Sequence, residues 1–415
     1  MTAESVLDLA EQALEQWEKG VSVDDFLDSR CEGAAVERRI LSSVLFAYFR
    51  NKALIGHALG SLVPRKPAPL VRRVMEVTLA QAWFQDGLAP EVAVSVAVDF
   101  VRARRGGGAA GFVNAVARNV LRLDRAGLLA AAPEHVRLNL PLALHGRWRR
   151  RFGVALEGMA DLLSRKAPFV FRLQDLALAR ELDADGRFRR LRLDFLPAGL
   201  RFYSCDVPEL VLARGWFDSG KIYAQDPATA VAPSLFSGIP GGGLVADLCA
   251  APGGKALLLA ALNPEATVVA ADKVPRRVRR MAGNFAAARV GNGVALVADA
   301  LAPPFRDGSF DAVLLDVPCS NTGVGRRRPD ALWRFNEPRL AELATLQRNM
   351  LWRASKLVAP GGELVYSTCS LEEEEGAGQV RAFVGGKSGF ELAREVSLLP
   401  GEDNDGVYAA LLRRA

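Results

Sequence analysis

A succession of short apolar runs spaced by helix-length segments constrains this chain more than any other feature. The runs are Leu244–Leu248, Thr267–Ala271, Val294–Ala298, Ala312–Leu315 and Leu364–Tyr366, with a last one near Val407–Leu411. Runs this short and this apolar suit strands buried on both faces. Their alternation with helical segments predicts a doubly wound parallel sheet. In such sheets ligands bind outside the carboxyl ends of the strands. The residues that follow these runs are therefore the first place to look for chemistry.

Two of the runs lead into a cysteine beside serine. Asp316-Val317-Pro318-Cys319-Ser320 follows one, and Ser367-Thr368-Cys369-Ser370 follows the other. A buried cysteine is most often a small hydrophobe, which is the reading for Cys31 and Cys205. Cys319 and Cys369 differ because each sits past its strand, next to hydroxyls and a turn, where a thiolate nucleophile can be activated. Attack on C6 of a cytosine or uracil would use such a thiol. C5 of a pyrimidine is a poor nucleophile until C6 carries an adduct, and a second thiol could then serve loss of the C5 proton and release. Asp316 is placed to hydrogen-bond the N3/N4 edge of the base. Nothing in the spacing ranks one thiol over the other.

Upstream, Asp247-Leu248-Cys249-Ala250-Ala251-Pro252-Gly253-Gly254-Lys255 ends the first run in a Gly-rich turn, where backbone N–H groups can approach a ligand. It is not a Walker A loop, because Cys249 stands where the first glycine belongs and Ala256 where Ser or Thr belongs. The G-x-G-x-x-G fingerprint is absent too. Asp272 lies 25 residues after Asp247 at the end of the second run, a position suited to ribose hydroxyls. Asp299 follows the third run, where it could accept from an adenine amino group. Singly either acid could cap a helix; at successive strand ends they outline an adenosine pocket.

The remainder of the 415 residues is long enough for further domains. Residues 1–130 read as helical, with Val44, Leu45, Tyr48 and Phe49 at helical spacing and breaks at Pro64, Pro67, Pro69 and Pro90. A last helix spans Gly111 to Leu123, and Arg118 and Arg122 on one of its faces read as solvated, with a nucleic-acid face as the alternative. Pro133 to Gly153 reads as a junction. Its Arg147-Trp148-Arg149-Arg150-Arg151 suits either an RNA contact, cations on phosphate and a ring on a base, or simple docking of Trp148. Phe169–Leu173, Leu191–Leu193 and Leu200–Phe202 read as strands of a small α+β module. The expected domains are 1–130, 131–215 and 216–415. Glu372–Glu375 reads as the start of a helix.

A net charge of +6 favours an anionic partner, nucleic acid first. The cysteines have irregular spacing and lie far in sequence from His57, His135 and His145, which argues against zinc and for reduced thiols. The N-terminus lacks a basic n-region, and no apolar stretch reaches the roughly 18 residues of a membrane span. The expectation is a cytoplasmic protein that needs no metal, no membrane and no obligate protein partner.

These residues resemble a known family, the bacterial 16S ribosomal RNA cytosine-C5 methyltransferases with a NusB-like N-terminal domain (RsmB/Sun/Fmu-like). The resemblance lies in Asp247–Lys255, Asp316–Val324, Arg326-Arg327-Arg328-Pro329-Asp330 with Trp333, and Tyr366–Ser370 with Glu374-Glu375. Gly220–Ile222 through Gln225-Asp226 and Gly111–Val116 with Arg118 match also. It implies an all-α NusB-like domain, a small α+β RNA-binding module and a Rossmann-like methyltransferase domain. It implies S-adenosylmethionine, held by Cys249, Ala250, Ala251, Pro252, Gly253, Gly254 and Lys255 and by Asp272, Arg277, Asp299 and Asp316. It implies Cys369 as nucleophile, Cys319 in release, Asp316 on the base, and a 16S ribosomal RNA substrate. Arg326, Arg327, Arg328, Arg147 and Arg149 are the expected RNA contacts. The chain departs from the family at Ala256, at Gly376 and at Arg172-Leu173-Gln174. Two other readings are an exocyclic-amine methyltransferase, which would have no use for Cys319 after a single proline, and an RNA-binding scaffold, which would have none for both thiols.

Overall fold

The computed structural model describes residues 1–31, 34–386 and 388–415. The chain divides into two compact units, one of residues 1–166 with 325–336, the other of residues 167–324 with 337–415.

The first unit is helical. Its helices begin where the chemistry of caps requires: Thr2 accepts from the N–H of Ser5 ahead of the helix Ala3–Glu18, and Ser22 from that of Asp25 ahead of Val23–Arg30. Pro69 and Pro90 open the helices Pro69–Phe84 and Pro90–Arg105, where a missing N–H costs nothing. Gly106, at φ +83°, ends the latter, and the next helix, Gly107–Leu121, starts within the glycine triplet rather than after it. Leu7, Leu14, Leu41, Leu45, Tyr48, Phe49, Val74, Leu79, Phe100 and Val113 interdigitate as its core.

The expected junction, Pro133 to Gly153, is itself folded into the helices Glu134–Arg137 and Leu142–Phe152, and these, with the following helix Ala155–Ser164, belong with the helical unit. The helical part thus runs to residue 166, beyond the expected boundary at 130. Trp148 is 0% exposed and packs edge-on to Phe152, so its ring supports the fold and presents no face for stacking. Arg149 pairs with Glu134 and Glu157 and donates to the Gly153 carbonyl. Residues 325–336 pack here as well. Trp333 Nε1 donates to the Phe49 carbonyl at 3.0 Å, Arg50 donates to the Arg326 carbonyl at 3.1 Å, and Arg328 pairs with Asp24 at 3.0 Å.

The second unit carries two sheets. The smaller is antiparallel, in the order β2-β3-β1-β4, from β1 (Phe169–Leu173), β2 (Phe188–Arg190), β3 (Phe202–Cys205) and β4 (Ile222–Ala224). Its last strand comes from beyond the expected boundary at 215. One face buries Phe171, Tyr203, Ile222 and Cys205, and the other buries Val170 and Phe202 against Leu258.

The larger sheet has seven strands in the order β10-β11-β9-β8-β5-β6-β7. They are β5 (Leu244–Asp247), β6 (Thr267–Asp272), β7 (Gly293–Val297), β8 (Phe310–Asp316), β9 (Val358–Thr368), β10 (Phe390–Leu398) and β11 (Val407–Arg414). Strands β5 to β9 pair in parallel, as expected, whereas β11 and β10 are antiparallel. The expected all-parallel sheet is therefore mixed. The order reverses between β5 and β8, which creates the crevice where α/β sheets bind ligands. No helix among the described residues is long and apolar enough to cross a membrane.

The burial of Trp148 has a measurable consequence. Replacing it with Ala should destabilise the helical unit by roughly 3–5 kcal/mol, as for other buried aromatic truncations, read from denaturant unfolding. The salt dependence of RNA binding should stay as it is; a weaker slope would mean that the ring and its neighbouring arginines meet RNA.

Candidate active site

The strand ends around the reversal gather most of the expected residues. Asp247 ends β5, Asp272 ends β6 and Asp316 ends β8, while Cys369 directly follows β9. The register of β8 on β9 sets Asp316 opposite Ser367, and Ser367 Oγ donates to Asp316 Oδ1 at 2.5 Å. Lys255, in the first turn of the helix Gly254–Leu262, donates to the other oxygen, Oδ2, at 2.7 Å. Asp316 is thereby held from two elements. A carboxylate has about four lone-pair positions, so each oxygen keeps capacity for a base or ribose. Burial opposes charge on Lys255, but Asp316 outweighs it and holds the ammonium above its ordinary pKa.

The thiols meet. Cys319 Sγ lies 3.3 Å from Cys369 Sγ, and Cys369 donates to Asn321 Oδ1 at 3.1 Å. Asn321 Nδ2 in turn donates to the Cys319 carbonyl at 3.0 Å, from a left-handed backbone at φ +59° that asparagine tolerates. Lys255 is also within electrostatic reach of Cys369, and a nearby cation favours a thiolate. Gly323 N–H donates to the Cys369 carbonyl at 2.9 Å; a Cβ on Gly323 would meet that same oxygen at 2.6 Å, so only glycine permits the approach. Cys249 is different. Burial, with Asp247, Asp316 and Asp272 adding, pushes its thiol well above the ordinary value. It lines the loop as a neutral side chain.

The cofactor loop is closed by the N–H of Ala250 on the Ala271 carbonyl, 2.9 Å, and that of Gly253 on the Ala250 carbonyl, 2.7 Å. Gly253 caps the helix at φ +108°, with Met281 Cγ only 3.0 Å from where a Cβ would be. The Pro252 carbonyl accepts from Asn284 at 2.8 Å and from Tyr223 at 3.3 Å. Asp272 and Asp299 each accept a backbone N–H two residues on, from Val274 and Leu301, both at 2.9 Å. Asp299 is exposed, as is Arg277 in the first turn of the helix Pro275–Ala287.

Asp247 is fully buried, and neither carboxylate oxygen has a hydrogen-bond partner of good geometry. Burial raises its pKa to about 7, with Asp316 adding to the shift while Lys255 and the Cys249 N–H oppose it. Three carboxylates thus repel one another beneath the loop, and one lysine offsets only part of that. S-adenosylmethionine, implied by the resemblance, carries a sulfonium and an ammonium. The residues present fit it: a cationic nucleoside would relieve this repulsion.

Of the arginines expected to meet RNA, Arg326 is 7% exposed and donates to the Lys166 carbonyl at 3.3 Å within the helical unit. Arg327 and Arg147 are half-buried, and Arg147 lies over the Phe335 ring. All five arginines belong to the helical unit, and both thiols to the other. Several residues at the site were not anticipated, namely Ser367, Asn321, Thr322, Gln347 and Glu375. Glu375 lies in the segment expected to start a helix; it is instead fully buried and accepts from the Ser320 N–H at 2.9 Å, while the helix begins at Ala377. The hydroxyls and amides flanking both cysteines were the available signal.

A family model described as 16S rRNA methyltransferase RsmB/F matches residues 241–413, and a NusB family model matches residues 5–122. Ribosomal RNA small subunit methyltransferase B of Thermus thermophilus is 33% identical over 392 residues, covering 91% of this chain and 89% of that protein. The crystal structure of PH0851 shares the fold, with a TM-score of 0.79, 23% identity and coverage of 100% of this chain and 99% of that one. NSun6 from Pyrococcus horikoshii, solved with the S-adenosylmethionine analogue SFG, has a TM-score of 0.54 at 21% identity over 66% of this chain and 98% of its own.

The perturbed aspartate sets a pH signature. Unfolded, an aspartate titrates near roughly 4; folded, Asp247 titrates at about 7. Across that interval the folded state binds the extra proton, so its contribution to stability falls as pH rises and levels off above the folded value. Asp247→Asn should flatten this fall and melt higher than the parent at pH 8, with the two converging toward pH 4. It should also weaken S-adenosylmethionine binding in calorimetry. Parallel melting profiles would mean that Asp247 ionises normally.

Proposed function

Because this chain belongs to the RsmB/F family of 16S ribosomal RNA methyltransferases, we propose that it methylates carbon 5 of a cytidine in 16S ribosomal RNA through a covalent cysteine adduct. It is an S-adenosylmethionine-dependent ribosomal RNA methyltransferase with a NusB-type helical domain. The observation that most supports the finer reading is the 3.3 Å approach of Cys319 and Cys369 beside a doubly anchored Asp316. Methyl transfer to an exocyclic amine has no use for two adjoining thiols.

In this reading Cys369 attacks C6 of the base as a thiolate, forming a C6–Sγ bond and moving the ring π electrons toward C5. Asp316 accepts a hydrogen bond from the exocyclic N4 amino group and orients the base for attack. Lys255 and Ser367 keep that carboxylate from turning away. S-adenosylmethionine, held by Cys249–Lys255 with Asp272, Asp299 and Asp316, supplies an electrophilic methyl group. Cys319 then takes the C5 proton; the C5–H electrons restore the C5–C6 double bond, and Cys369 leaves as a thiolate. Asn321, bonded to both cysteine segments, keeps the two sulfurs in reach of one base.

The test is methylation of unmodified 16S RNA with radiolabelled S-adenosylmethionine, followed by nucleoside analysis. Label should appear as 5-methylcytidine and fall by about a thousandfold or more in Cys369→Ala, as for loss of a nucleophile. Cys319→Ala should instead trap RNA on the protein in a denaturant-resistant adduct. Label in a different nucleoside, or adducts in Cys369→Ala, would overturn the assignment.

A further inference from the structure

The side chains behind the Cys319 segment are arranged for placement, and we infer that Gln347 and Glu375 are positioning residues for the release step. This rests on the covalent mechanism proposed above. Gln347, on the helix Glu337–Leu357, is fully buried, and its Nε2 donates both to the Pro318 carbonyl and to Glu375 Oε1, each at 2.9 Å. Glu375, also fully buried, accepts the Ser320 N–H at 2.9 Å through Oε1 and the Ser320 hydroxyl through Oε2. The residues immediately before and after Cys319 are therefore gripped by one network. Ser320 Oγ also meets Ser370 Oγ at 3.0 Å, and Ser370 meets Thr322 at 3.2 Å, which ties the Cys319 segment to the residue after Cys369.

A second observation separates placement from stability. With both N–H directions of Gln347 spent on carbonyl and carboxylate acceptors, its amide orientation is fixed. Its own Oε1 is left buried without a partner. Buried polar groups are normally satisfied, and an apolar side chain of the same size would avoid the deficit. The amide instead spends both N–H groups on the Pro318 carbonyl and on the buried Glu375 carboxylate, which holds the Cys319 segment in place. By contrast Asp316 is held by Lys255 and Ser367 and has no bond to this network. Loosening Gln347 or Glu375 should therefore disturb Cys319 and leave the machinery of attack and methyl transfer in place.

The expected split can be read in the full-length protein with Gln347→Met and Glu375→Gln, by rapid quench on unmodified 16S RNA. First-turnover label should be kept, steady-state turnover should fall by about tenfold or more, and a denaturant-resistant RNA adduct should build up toward the level of Cys319→Ala. Gln347→Met takes a donor from the Pro318 carbonyl and from Glu375 and should melt lower than the parent, so both variants are assayed well below their melting temperatures. Unchanged turnover, or methyl transfer that falls in step with turnover and without adduct, would overturn the inference. Wild type and Cys319→Ala run alongside: if the first makes no 5-methylcytidine and the second no adduct, the reaction itself is wrong and this inference goes with it.

Discussion

The Lys255–Asp316 ion pair is the contact on which the site depends. It joins the helix that follows β5 to the end of β8, across the gap where strand order reverses. Ser367 brings β9 to the same carboxylate. Both side chains keep partial access to water, so their desolvation costs less than for a fully buried pair, and removing one partner should cost less than the roughly 3–5 kcal/mol of that case. The remaining lone pairs of Asp316 stay available to a ligand.

Electrostatics around that pair are deliberately out of balance. Asp247 and Asp272 add negative charge close by, and burial first, with Asp316 adding to it, raises the Asp247 pKa to about 7. Ordinary structural carboxylates elsewhere behave oppositely: Asp185, at the surface with Arg187 beside it, is held down to about 2. The contrast suits a cationic ligand. A pocket for a neutral nucleoside would have no need of uncompensated acids, whereas a sulfonium cofactor supplies the missing positive charge when it binds.

Much of this was legible in the sequence because strand ends and turns are local. The apolar runs predicted β5 to β9 and β11, and the acids and thiols fell at their ends. Strand β10 was not legible: Phe390–Leu398 is largely exposed, interleaves charged with apolar residues and pairs with a register shift at Leu392/Arg394, so no apolar run marks it. The antiparallel turn of the sheet was missed for the same reason. Arg326 misled in the other direction. A run of three arginines reads as an RNA contact, but burial of Arg326 is fixed by packing with the helical unit, a partner about 160 residues away in sequence toward Lys166. Glu375 was read as a helix start since acids favour that position; its acceptors are instead occupied by Ser320 and Gln347, contacts that no local pattern encodes.

The two cysteines illustrate where local reading must stop. Each sits beside hydroxyls after a strand, and nothing in either segment distinguishes a nucleophile from an assistant. Their surroundings differ. Cys369 is within reach of the Lys255 ammonium and bonds to Asn321, at the same strand edge as the anchored carboxylate. The Cys319 segment is clasped from behind by buried amide and carboxylate groups that fix its backbone. The proposed nucleophile therefore lies near a cation, and the proposed proton acceptor sits on a clasped backbone. Identical side chains meet different surroundings because long-range packing sets one near a charge and the other on a fixed segment.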